Sequence, residues 1–172
     1  MKKLLSLLLA CLMCTPSFAE TAVPEPMELM PYIGNITWKE LRPLIPDPFF
    51  TGNSEPSGIM MTLGENLASC INVMYANEDA EIPYGWDPTT VFFFSISKSG
   101  YSLNGISVGD KISDIDAICM ADGWTKMDMI PDLLDGAYEK TTDGVQYTLG
   151  YIIEYGTDQA SYVSVKAKKL DE

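Results

Sequence analysis

Residues 145–155, VQYTLGYIIEY, place Tyr147, Leu149, Tyr151, Ile153 and Tyr155 at every second position, with Gln146, Thr148, Gly150, Ile152 and Glu154 between them. A period of two is the signature of a strand with one face against a core and the other turned away from it. A single strand of this kind cannot satisfy its backbone alone, so the pattern commits the chain to a sheet. Partners are at hand in GIMMTL (58–63), CINVMYA (70–76), TVFFFSIS (90–97), AYEKTT (137–142) and SYVSVKAKK (161–169). Asp143-Gly144 and Gly156 stand between the last three runs, where hairpins place such residues. Carrying the parity across the set assigns Ile71, Val73, Tyr75, Phe92, Phe94, Ile96, Val163, Val165 and Ala167 to the core face.

Two helix signals precede the two groups of strands. Thr37 and Glu40 form a T-x-x-E capping box flanked by Ile36 and Leu41, and Leu44 and Ile45 continue the apolar face. Pro43 lies inside this segment and shortens or kinks it, and Pro46 and Pro48 end it. In the second, Asp110 is placed to cap a helix carrying the stripe Ile112, Ile115, Ile118 and Cys119, which Gly123 is placed to end. Leu41, Leu44 and Ile45 align with Ile115, Ile118 and Cys119 at a constant offset of 74 residues. The expected fold class is therefore α+β: two tandem repeats, each a short helix or helical hairpin packed on a three- to four-stranded antiparallel β-meander. Residues 32–100 form the first repeat and 101–170 the second.

The beginning of the chain reads as an export signal. Lys2 and Lys3 precede the apolar run LLSLLLACLM, and Pro16 and Ser17-Phe18-Ala19 follow it, so cleavage is expected after Ala19. The sequence LLAC, ending at Cys11, also resembles a lipobox, and a lipid anchor at Cys11 is the alternative. Its use would leave only a short signal. No later run approaches the roughly 20 apolar residues of a membrane span. Residues 20–31, ETAVPEPMELMP, read as an extended linker. Removing residues 1–19 takes two lysines from 11 basic residues and leaves 24 acidic ones, a net charge of −15. Such a surface disfavours nucleic acid, since only Lys166, Lys168 and Lys169 cluster. The even pair Cys70 and Cys119 in an exported chain suggests a disulfide joining the two halves, with two buried thiols as the other reading.

The glycine turn GISVGDKISDIDAI, followed by a connector and a meander, resembles the repeat unit of small exported bacterial proteins: the β-lactamase inhibitory protein and the small lipoproteins of outer-membrane assembly. The resemblance implies a helical hairpin on an antiparallel sheet, and a concave surface that grips another protein. The two cysteines depart from it, falling one per repeat, whereas the inhibitory protein closes a disulfide inside each. No contact residue of that inhibitor matches a position here.

The chain has no histidine, so Ser-His and Cys-His pairs and imidazole-bound zinc are excluded, and it carries neither a Walker A loop nor a dinucleotide fingerprint. Asp114, Asp116, Asp128, Asp132 and Asp135 could supply a carboxylate acid and base, but read first as a solvated acidic face. The segment DPFFTGNSE (47–55) fits a calcium loop poorly. No catalytic residue, metal or cofactor is expected. The face opposite the core carries Met60, Met74, Phe93, Ile152 and Tyr162, a composition enriched at protein contacts, although scattered surface apolars are common. Trp86 in the acidic loop NEDAEIPYGWDP is a second contact candidate. The expected function is an exported, non-enzymatic protein-binding module, inhibitor-like in its use of the open sheet face. A cell-envelope structural or assembly factor is the alternative, and a carboxylate-dependent hydrolase a remoter one.

Overall fold

The computed structural model of the chain describes residues 24–47, 49–55, 58–75, 90–130 and 133–170. The expected signal peptide, the lipobox at Cys11 and the loop bearing Trp86 lie outside the described residues. Among the described residues ten strands form: β1 Met27–Glu28, β2 Phe49–Glu55, β3 Gly58–Asn66, β4 Ser69–Tyr75, β5 Val91–Ile96, β6 Tyr101–Ser102, β7 Thr125–Lys126, β8 Gly136–Thr142, β9 Val145–Ile153 and β10 Ala160–Lys169. Among the same residues two α-helices accompany them, α1 Trp38–Leu41 and α2 Ile112–Ala121, with single 3₁₀ turns at Met30–Tyr32 and Arg42–Leu44.

The α+β arrangement of two tandem helix-bearing repeats is not what forms. Eight strands make one continuous antiparallel sheet in the order β2-β3-β4-β5-β10-β9-β8-β7, and strands dominate the molecule. The join is the β5–β10 ladder, in which Ile96, Ser95, Phe94 and Phe93 pair with Val163, Ser164, Val165 and Lys166. It crosses the boundary expected at residue 100. The physical reason is edge closure. A four-stranded meander ending at β5 would leave a row of unpaired N–H and C=O groups in the middle of the molecule, and β10 satisfies them. The helical content is small for local reasons. The capping box of α1 is complete, with Thr37 N and Oγ1 donating to Glu40 Oε2 at 3.0 and 2.8 Å and Glu40 N donating back to Thr37 Oγ1 at 3.4 Å. Pro43 nevertheless tightens the chain into a 3₁₀ turn immediately after Leu41.

The helical segments lie on one face of the sheet. Leu29, Ile33, Leu41, Ile45, Ile115, Cys119 and Trp124 pack there with Ile71, Val73, Phe92, Phe94, Leu149, Tyr151, Val163 and Val165 in a single core shared by both halves. The parity read from the strands holds for Ile71, Val73, Phe92, Phe94, Ile96, Leu149, Tyr151, Val163, Val165 and Ala167, which are buried, but not for Tyr155, which lies beyond the end of β9 and is fully exposed. At one end of the sheet the Trp38 ring stacks on Tyr75, 5.5 Å between centroids and 2° from parallel. Helix α2 ends as its glycine requires: Gly123 has φ of 78°, and Trp124 N donates to Cys119 O at 2.9 Å. Its start differs from expectation. Lys111 is the N-cap residue, and Asp110 instead accepts from Ser107 N at 2.7 Å, shaping the preceding turn.

The segment read as a linker is built into the fold from Met27 onward. β1 pairs parallel with β6, Met27 with Tyr101 and Glu28 with Ser102, and Leu29 is fully buried. Glu28 fixes this junction. Its Oε1 accepts from Met30 N and Asn104 N, both at 2.9 Å, and its Oε2 from Ser102 Oγ at 2.9 Å and Gly105 N at 2.8 Å.

Candidate functional site

The ladder registers fix which residues of the other face are neighbours. Met60, Met74 and Phe93 stand side by side across β3, β4 and β5, and Lys166 and Thr148 continue the row on β10 and β9. Tyr162 and Ile152 form a cross-strand pair on β10 and β9. Between the two groups runs a row of small residues, Thr62, Asn72, Ser95, Ser164 and Gly150. Same-face residues of one strand are about 6.6 Å apart, so the two apolar groups lie on opposite sides of the small row, about 13 Å apart along the strand direction, with Ile152 and Tyr162 displaced sideways onto β9 and β10. The face is thus two ridges and a trough.

The trough is polar and internally bonded. Thr62 Oγ1 donates to Asn72 Oδ1 at 2.7 Å, and Asn72 Nδ2 donates to Ser95 Oγ at 3.1 Å. Ser95 is only 1% exposed. One step further along β4 and β5, Ser97 Oγ accepts from Cys70 N at 3.1 Å and donates to Cys70 O at 3.2 Å. Such bonds hold the floor rigid, since a buried hydroxyl or amide left unpaired costs about 1–3 kcal/mol. Leu134 reaches over one end: a Cβ at Gly150 would lie 2.4 Å from Leu134 Cδ1. Met60, Met74, Phe93, Ile152 and Tyr162 are all half-buried and all belong to this face. Trp86 lies outside the described residues. Sequence reasoning missed the trough residues, which look like ordinary polar positions until the strands are in register.

The proposed Cys70–Cys119 disulfide does not form. Both are buried free thiols. The sheet separates them: Cys70 shares the parity of Asn72 and Met74 on the open side, and Cys119 sits in the core beneath α2. Burial, helped by the nearby charges of Asp116 and Asp122, pushes the Cys119 thiol up to about 12 and leaves it unreactive. The Cys70 Sγ lies 3.3 Å from Leu67 O and 3.6 Å from Ser97 Oγ.

The carboxylates considered for acid and base chemistry are used structurally. Asp116 accepts from the Tyr138 hydroxyl and pairs with Lys126 Nζ at 3.4 Å, and Asp135 Oδ2 accepts from Ile153 N at 2.7 Å. Asp114 and Asp128 are exposed, and Asp132 lies outside the described residues. Asp47, from the calcium-like segment, meets Lys98 Nζ at 2.7 Å and the Tyr101 hydroxyl. Burial opposes ionisation of Asp47, but the bonds from Lys98 and Tyr101 prevail and hold its carboxyl below the usual range. Lys140 and Trp124 hold Asp122 low in the same way, from 3.0 Å and 2.9 Å. Among the described residues no three acidic or thiol side chains gather as metal ligands would.

No family model and no curated protein matches the sequence. Among solved structures, the chain is similar to one described as an extracellular protein containing a SCP domain, from Bacillus anthracis, with a TM-score of 0.52 over 86% of this chain at 11% identity. The chain spans about half of that protein, 48% of its length. At 11% identity the likeness bears on the fold alone. Among the described residues no helix is long and apolar enough to cross a membrane.

Proposed function

We propose that the chain is exported, to the periplasm, the envelope or the outside of the cell, and works without catalysis by binding another protein across the open face of its sheet. The observation that carries this reading is the pairing of two half-buried apolar groups, Met60-Met74-Phe93 and Ile152-Tyr162, around a pre-bonded polar floor. A partner seated on this face meets apolar anchors held over a floor that is already bonded and nearly closed to solvent, so little reordering is needed, which lowers the cost of binding. The reading of Met1–Ala19 as an export signal supports the location, and the extracellular description of the Bacillus anthracis protein agrees with it.

The test is affinity capture from the source organism's envelope and secreted fractions, with the chain from Glu20 onward beside a Phe93→Asp, Tyr162→Asp double variant of matched circular dichroism. A protein retained by the first and lost by the second is expected, and equal retention by both sinks the proposed face. Capture of an envelope assembly component would identify the scaffold form of the same binding mode, and capture of an extracellular enzyme the inhibitor form.

A further inference from the structure

We propose that two copies of this chain associate through β2, pairing antiparallel about a two-fold axis at Asn53 and joining their sheets edge to edge. β2 is one end of the eight-stranded sheet, and among the described residues no strand pairs with its outer side. The opposite end is guarded differently. β7 is only two residues long and carries Lys126, which is how natural sheets blunt an edge. β2 runs seven residues, Phe49–Glu55, with no proline, lysine or arginine, and its sole charged residue is Glu55 at the end.

The direction of each backbone group along β2 follows from the ladder. Ser97 N donates to Cys70 O at 2.9 Å, so Cys70, Asn72 and Met74 direct their backbone groups to β5, and Ile71 and Val73 theirs to β3. Ile71 and Val73 pair with Leu63 and Met61, which therefore face β4, and Met60 and Thr62 face β2. Their partners Asn53 and Thr51 turn inward, leaving Gly52 and Ser54 with N–H and C=O directed outward. This outward set is self-complementary. With the axis at Asn53, Gly52 of each copy stands opposite Ser54 of the other, and the two pairs exchange four hydrogen bonds. The wider composition favours a second copy at this edge. Acidic residues outnumber basic ones 24 to 11 across the chain, so like copies repel in general, but residues 49–54 carry no charge and meet there with the least repulsion.

Sedimentation velocity of the chain from Glu20 onward, across a concentration series, tests this directly. A doubling of mass with rising concentration is expected. Ser54→Pro, which removes an outward donor without touching the β3 ladder, should return the monomer, while Ser54→Ala keeps the dimer. A wild-type chain that stays monomeric, or a Ser54→Pro dimer as tight as wild type, overturns the proposal. Hydrogen exchange on the unaltered chain gives a reading independent of how any variant folds. Protection of the Gly52 and Ser54 amides should rise with concentration, and protection unchanged by concentration overturns it.

Discussion

Glu28 offers the sharpest test of the structure, because the sequence placed it in a linker where substitution would be silent. Its carboxylate accepts four hydrogen bonds, three from backbone N–H groups and one from Ser102. Hydrogen bonds to a charged group contribute about 1.5–3 kcal/mol each when sheltered. This site is only partly buried, and Gly105 lies at the surface, so water can replace some of the lost bonds in Glu28→Ala. The expected loss is about 2–4 kcal/mol, roughly a third of the fully sheltered sum of the four bonds. With a urea slope of about 2 kcal/mol/M, the unfolding midpoint falls by about 1–2 M.

Equilibrium urea unfolding followed by tryptophan fluorescence measures the shift, since Trp124 is buried in the same core. Glu25→Ala is the control: an exposed neighbour of the same charge, expected to change stability by less than about 0.5 kcal/mol. Glu28→Gln keeps the size and still destabilises, because each oxygen faces two donors and an amide NH₂ in either orientation opposes a backbone N–H. A double-mutant cycle with Ser102→Ala should return about 1 kcal/mol of coupling. If Glu28→Ala matches Glu25→Ala, β1 is not held by this carboxylate and the reasoning fails.

Iodoacetamide labelling of the unfolded, unreduced chain from Glu20 onward should modify two thiols, Cys70 and Cys119, whereas a count of zero would restore the disulfide. Gly136→Ala should cost about 2–3 kcal/mol in thermal unfolding, because its Cβ would lie 2.2 Å from the ring of Tyr151, itself only 3% exposed. Gly150→Ala should cost less, since the 2.4 Å contact is with the end of the Leu134 side chain, and Leu134→Ala should relieve it. In acid, Asp47 and Asp122 stabilise the fold above their ordinary value of 3.8, and that contribution is lost as pH falls through their lowered folded values. In base, Tyr101 and Tyr138 are raised above 10, first by burial and then by Asp47 and Asp116. Their contribution is complete below pH 10 and is lost only at higher pH, so a pH-dependent urea series should show a decline on both flanks.

The positions of β3, β4, β5, β8, β9 and β10 were legible because a buried face imposes a period of two on each strand separately, and residues such as Phe92, Phe94, Val163 and Val165 declare it without help from neighbours, whereas β2 was missed in a segment weighed only as a calcium loop. Helix α1 was legible at its start for the same local reason. Thr37 and Glu40 bond to each other within one turn, so their spacing carries the whole signal. What misled was the inference from matching elements to separate repeats. A constant offset between two apolar stripes says how each half is patterned, but not whether the strand ending one half pairs with the strand ending the other. That choice rests on backbone groups, which every sequence carries alike, and here β5 takes β10.

The candidate site shows the same division. Parity alone put Met60, Met74, Phe93, Ile152 and Tyr162 on one face, yet not their grouping, because grouping depends on register. A shift of one residue would send a strand's side chains to the other face, and a shift of two would keep the face while breaking the Thr62-Asn72-Ser95 chain of bonds. Asn72 is the residue that reads register most sharply. Its amide accepts on one side from β3 and donates on the other to β5, so three strands must align for it to be satisfied. An apolar residue at 72 would tolerate either alignment. The polar floor therefore has a structural consequence as well as a binding one: it selects the alignment in which Met60, Met74 and Phe93 stand side by side.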